Sequence, residues 1–156
     1  MIGTPPLYFE DLAEGYELEG STVTVTESHV VAYAGLVGDF YKLHVDKVAA
    51  EKTPFGQRVA HGPFTFALTI GQIAQRLTHL DVQVEAIVGA TDMRFLAPVF
   101  FDDTITPLGR VVRVRERQTN GAVTIALTAR NQHGLDVFTG EFTLFVTRRP
   151  SGDTDA

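Results

Sequence analysis

The chain has 156 residues, a formal net charge of −6, 44% hydrophobic residues and no cysteine. That length suits one domain whose core needs no covalent staple, and the missing thiol excludes disulfides, thiolate metal sites and a cysteine nucleophile. The acidic balance argues against nucleic acid as a partner, and neither an eighteen-residue apolar run nor a charged-then-apolar leader is found, so a cytoplasmic protein with no membrane partner is expected.

Residues 1–7, with paired prolines, read as a loose lead-in, and Leu18 to Thr26 alternates weakly enough for a short edge strand. Thr26 then suits a helix N-cap, because Val30, Tyr33, Ala34 and Val37 recur at helical spacing before Gly38 stops the run. Asp39 thus follows a helix C-terminus directly. From Asp39 to Val59 the apolar period is lost, apart from a short turn at Val48 to Glu51, and Pro54 and Gly56 punctuate a long loop.

Pro63 to Leu77 is the clearest helix, with Pro placed where a first turn tolerates it. Phe64, Ala67, Leu68, Gly71 and Ala74 share one face and Phe66, Ile70, Ile73 and Leu77 another, leaving Thr65, Thr69, Gln72 and Arg76 as the polar stripe. A helix apolar over so much of its surface needs a sheet around it. A first strand within Gln83 to Leu96 is followed by period-2 patterns at Val112 and Val114, at Val123, Ile125 and Leu127, and at Phe138, Phe142, Leu144 and Val146. Short turns at Gln118 to Ala122 and Gln132 to Gly134 imply antiparallel hairpins. The expected class is α+β, an antiparallel sheet curled round one helix over residues 8–148, with a flexible tail at 149–156.

The residues able to do chemistry concentrate between Tyr33 and Gly71. Asp39 and His44 lie five apart after Gly38, and a His61-Gly62-Pro63 turn opens the long helix. Taken alone, such an Asp and His are either surface loop residues or an acid/base pair, and His61 is either a structural histidine bonded to nearby backbone or a third catalytic group. Asp39, His44, Asp46 and His61 are zinc-capable ligand types, but no helical His spacing supports a site and no metal is expected. Arg113, Arg115 and Arg117 fall on one strand face, to meet ligand phosphates or simply solvent.

The run GDFYKLHVD, followed by FGQRVAHG and RFLAPVFFDDT, resembles the MaoC-like family of R-specific enoyl-CoA hydratases and dehydratases, from about Tyr8 to Val146. In the family pattern G-D-x-N-P-x-H, Gly38, Asp39 and His44 match, while Tyr41 and Lys42 replace Asn-Pro. The resemblance implies a hot-dog fold with the Pro63 to Leu77 helix at its centre, paired as a homodimer or dimer of dimers. It implies reversible syn hydration of a trans-2-enoyl thioester, with Asp39 and His44 as a joint acid/base dyad and the Gly62 N–H meeting the thioester oxygen. Coenzyme A is then part of the substrate and no cofactor is needed. A family serine that helps fix the dyad falls at Ile70 here. Phe40, Tyr41, Lys42, Phe55 and His61 are the candidate substrate-binding residues, Lys42 as a partner for an acyl carboxylate if it faces inward. Rival readings are a thioesterase on the same fold, or a non-catalytic acyl-CoA binding module.

Overall fold

The computed structural model describes residues 5–150, and the first four residues of the lead-in and the last six of the tail lie outside it. A single 3-10 turn at Phe9–Asp11 precedes β1 (Glu17–Glu19), β2 (Val23–Thr24), α1 (Glu27–Val37), α2 (Lys42–Val45), α3 (Lys47–Ala50), α4 (Gly62–His79), β3 (Val84–Phe95), β4 (Thr104–Glu116), β5 (Asn120–Asn131) and β6 (Asp136–Thr147). The strands form one antiparallel sheet in the order β1-β4-β5-β6-β3, with β2 also on β4.

The period-2 pattern does what it predicts on β5 and β6, whereas on β4, where Val112 and Val114 are the expected dry-face residues, a register shift between Val111 and Arg113 leaves Val111 buried, Val112 exposed and Val114 partly buried. Val123, Ile125 and Leu127 on β5 and Phe142, Leu144 and Val146 on β6 are buried, and with Ile105 and Val111 of β4 they form the inner face against Phe64, Ile73 and Leu77 of α4. Each such side chain stabilises the fold by roughly 1.5–3 kcal/mol through removal of apolar surface from water. The sheet therefore wraps the central helix as expected.

Four other local expectations are corrected. Leu18 to Thr26 is not one strand but two short ones, broken where Gly20 passes so close to α4 that a Cβ there would stand 2.9 Å from Gln72 Cβ. The polar stripe on α4 is not its solvent face, since Thr65 and Thr69 are buried while Ala67 and Gly71 are exposed. Their hydroxyls donate to the carbonyls one turn back, Thr69 to Thr65 at 2.7 Å and Thr65 to His61 at 3.4 Å, which hides their polarity inside the helix. Asn120-Gly121 belongs to β5 rather than to the turn before it, Asn120 pairing with Thr147. Finally, Leu7 and Arg149 are tied in, not loose: Leu7 exchanges backbone bonds with Asp81 and Gln83, and Arg149 holds Glu10 and Asp11.

The two sheet edges differ. The β1/β2 edge is short and flanked by Glu17 and Glu19, whereas β3 presents twelve exposed residues, among them Val84, Ile87, Val88, Met93 and Phe95. Among the described residues β3 pairs only with β6, and three register shifts along it, with Asp92 in a left-handed conformation at φ 53°, curl its end over the head of α4.

Candidate active site

α1 begins at a Thr26 cap whose hydroxyl accepts the His29 N–H, and it ends at Gly38, whose φ of 79° is one that side-chain-bearing residues rarely adopt. That turn sends the chain across the molecule with Asp39 first. The Asp39 carboxylate is half exposed, and its Oδ1 accepts the Tyr41 N–H at 3.1 Å, an Asx turn that fixes one oxygen and leaves Oδ2 free. α2, a single turn absent from the sequence reading, then carries His44.

His44 Nδ1 lies 2.7 Å from the Val59 carbonyl, and because a carbonyl only accepts, Nδ1 carries the proton. Nε2 is then the nitrogen free to act. Val59 returns a bond from its own N–H to the Leu43 carbonyl, and Ala60 bonds Val99, so the strand-like passage into α4 is fastened on both sides. Asp46 is spent on capping α3 through the Ala49 N–H.

His61 is the N-cap residue of α4, and its side chain is only 1% exposed. Nε2 lies 2.9 Å from the Asp39 main-chain carbonyl and 3.8 Å from Asp39 Oδ2, and the ring stacks on His44 with centroids 3.8 Å apart and 28° between planes. Gly62 opens the helix, where backbone N–H groups have no intrahelical partner and the helix end is partly positive. A side chain at Gly62 would stand 3.1 Å from the Phe95 ring, which covers this point.

Asp39, His44 and His61 each bring one ligand-type atom within 4.8 Å of the others. Asp39 and His44 make no direct hydrogen bond, but a gap of that size fits one water held by both. As a metal set the trio is poor, because His61 Nε2 is already committed as donor to Asp39.

Beside them lies a cleft of about 400 Å³ lined by His44, Gly62, Phe55, Thr65, Phe95 and Leu96, with further apolar residues behind. Of the candidate binding residues, Phe55 lines this cleft, while Phe40, Tyr41 and Lys42 are exposed outside it, Tyr41 edge-on to His44. Lys42 thus does not face inward toward an acyl carboxylate. Ile70, at the serine position of the motif, offers the dyad no hydroxyl, and Thr69 bonds its own helix instead. The wall residues Thr65, Phe95 and Leu96 were missed in the sequence because nothing local marks them as neighbours of residues 39 to 62. Arg113 and Arg115 lie opposite Thr124 and Ala122, at the end of the sheet away from Phe95 and Val137, so within one chain they do not border the cleft. No helix among the described residues is long and apolar enough to cross a membrane.

The family model described as MaoC like domain matches residues 12–132. The chain is 36% identical over 101 residues to Protein MaoC of Klebsiella aerogenes, covering 63% of this chain and 28% of that protein. It is 33% identical over 99 residues to the (R)-specific enoyl-CoA hydratase of Rhodospirillum rubrum, covering 64% and 65%. The matched stretches thus span less than two thirds of these relatives. Among solved structures, a monoamine oxidase regulatory protein from Archaeoglobus fulgidus superposes with a TM-score of 0.89 at 35% identity, over 93% of this chain and 97% of that one. The sheet wrapped on a long helix is the hot-dog fold, and the chain belongs to the MaoC-like dehydratase family.

Proposed function

We propose that the protein catalyses reversible hydration of a trans-2-enoyl thioester to a (3R)-3-hydroxyacyl thioester. The observation that carries this reading is the Asp39 carboxylate and the His44 imidazole within 4.8 Å of each other, next to the head of α4 and an apolar cleft. Chemistry of this kind needs a base for water, an acid for the α-carbon and donors for the oxyanion that develops on the thioester.

In this reading, water sits between Asp39 Oδ2 and His44 Nε2. The dyad takes one proton as the water oxygen bonds to the β-carbon, the π electrons shift to the thioester oxygen, and the enolate collapses as the dyad returns a proton to the α-carbon. Both additions come from one side, so the outcome is syn. The Gly62 N–H, with the partial charge of the helix end behind it, faces the developing oxyanion. The Val59 carbonyl keeps the His44 tautomer correct and stabilises the imidazolium formed on proton uptake. An acyl group lies in the cleft against Phe55 and Leu96, with a coenzyme A ester as the substrate class. Relatives bearing the names 3-hydroxybutyryl-CoA dehydratase and (R)-specific enoyl-CoA hydratase support this class.

The long apolar edge of β3 supports a second part of the same reading, a homodimer in which two such edges pair and continue the sheet. The test of function is loss of enoyl-thioester absorbance on adding the protein to crotonyl-CoA and to longer and branched enoyl-CoAs. Turnover abolished by Asp39→Asn and by His44→Ala is the expected result. Release of free thiol would replace the reading with a thioesterase, and binding without any conversion would replace it with a binding module.

A further inference from the structure

One residue links the three parts of the site without facing the cleft. His61 occupies the N-cap position of α4, directly before Gly62, with its side chain making no capping bond there; its Nε2–H donates to the Asp39 carbonyl, and its ring stacks on His44. The two elements it touches cannot hold themselves. α2 has four residues, far below the ~12–15 at which an isolated helix becomes even marginally stable. The Asp39 to Tyr41 turn has one local bond of its own, and the bond from His61, 22 residues away, ties it to the rest of the chain. Tyr33 of α1 also packs on the imidazole, tilted at 54° with ring centroids 5.1 Å apart, so the ring has a defined seat. Its Nδ1 is buried and makes no hydrogen bond among the described residues.

We propose that His61 is the positioning residue of the site: through the Nε2–H bond to the Asp39 carbonyl and the stack on His44, it holds the carboxylate and the imidazole at the spacing that one water requires. This rests on the reading of Asp39 and His44 as the acid–base pair. Since Nδ1 has no partner to lose, His61→Phe keeps the stacked ring and deletes a single hydrogen bond. His61→Gln puts an amide nitrogen the same number of bonds from the backbone as Nε2 and so keeps the donor. His61→Asn is one bond too short to reach.

The test is steady-state kinetics on crotonyl-CoA for these three variants, together with hydrogen exchange at the Tyr41 amide, which reports the Asp39 turn whether or not the protein turns over substrate. In His61→Phe and His61→Asn, kcat falls about 10²-fold, the usual scale for a misplacement near 1 Å. KM stays within about threefold because the cleft wall is untouched. His61→Gln recovers most of the rate. Tyr41 exchange is faster in Phe and Asn than in Gln. The inference is overturned if Gln and Asn behave alike in both readouts, or if His61→Phe retains wild-type kcat and wild-type exchange. Should the wild type not hydrate any enoyl thioester, the functional reading fails, and the exchange comparison alone still decides for or against the positioning role. Should His61→Phe not fold, the Gln and Asn pair, equal in polarity and differing by one methylene, carries the same decision.

Discussion

The inner face of the sheet and the segment from Asp39 to His61 are held together by different means. β5 and β6 share a run of paired backbone that is continuous from Asn120 to Ala129, with alternate side chains removed from water, so their order is distributed over many equivalent contacts. The Asp39 to His61 segment has two one-turn helices, a Gly56 turn at φ 68° and a handful of specific bonds, each to a single carbonyl or amide. In the first region a substitution is therefore read in stability. In the second, on the proposed function, it is read in rate.

Four substitutions sharpen or break that contrast. Asp39→Asn keeps the shape of the side chain, and so its turn, but removes the proposed base; turnover is expected to fall by about 10² to 10⁴ with no change in melting temperature. A large loss of thermal stability would mean that the carboxylate is structural and the contrast is wrong. Phe138→Ala, in a residue wholly buried between Phe66 and Phe95, should cost about 3–5 kcal/mol in denaturant unfolding. Because Phe95 leans on it, some activity will be lost too, but less than with Asp39→Asn.

Ile87→Lys, half exposed on β3, should leave the monomer fold intact while shifting sedimentation from dimer to monomer, since a charge on an apolar edge opposes pairing. An unchanged sedimentation profile would count against the β3 interface. The smallest effect is expected at Glu27, on the outer surface. Hydrogen bonding from Arg58, then its charge, holds this carboxyl below the ordinary value of 4.5. A depressed carboxyl contributes its stabilisation above the unfolded value and loses it as the pH falls through the folded one. Glu27→Gln should therefore show a slight melting deficit at pH 7 that disappears as the pH drops well below 4.5.

The regions also differ in how far the sequence discloses them. The hairpins and α4 follow from period: Val123, Ile125 and Leu127, or Phe66, Ile70, Ile73 and Leu77, repeat at spacings that only one secondary structure satisfies. Asp39, His44 and Gly62 are marked by the motif around them, and they meet. What stays hidden is hidden for physical reasons. α2 is one turn long, too short to show a period at all. Thr65 and Thr69 look like a wet face because residue type says nothing about a hydroxyl turned onto its own helix. Phe95 and Leu96 reach the cleft only because bulges curl the far end of β3, a tertiary effect with no local signature. In sequence His61 shows only a turn before the long helix, and its grip on residues 39 and 44 is a contact across 17 to 22 residues.

Two roles coincide at the free edge of β3. Its last residue, Phe95, is at once part of the edge that a second molecule would pair with and part of the wall against Gly62. Assembly and the shape of the cleft are then linked through one strand, and a ligand that favours the paired edge must in turn favour the pair. Specific activity becomes a matter of mass action: diluting the protein below the dissociation constant of the pair should lower turnover per chain, and substrate should restore it.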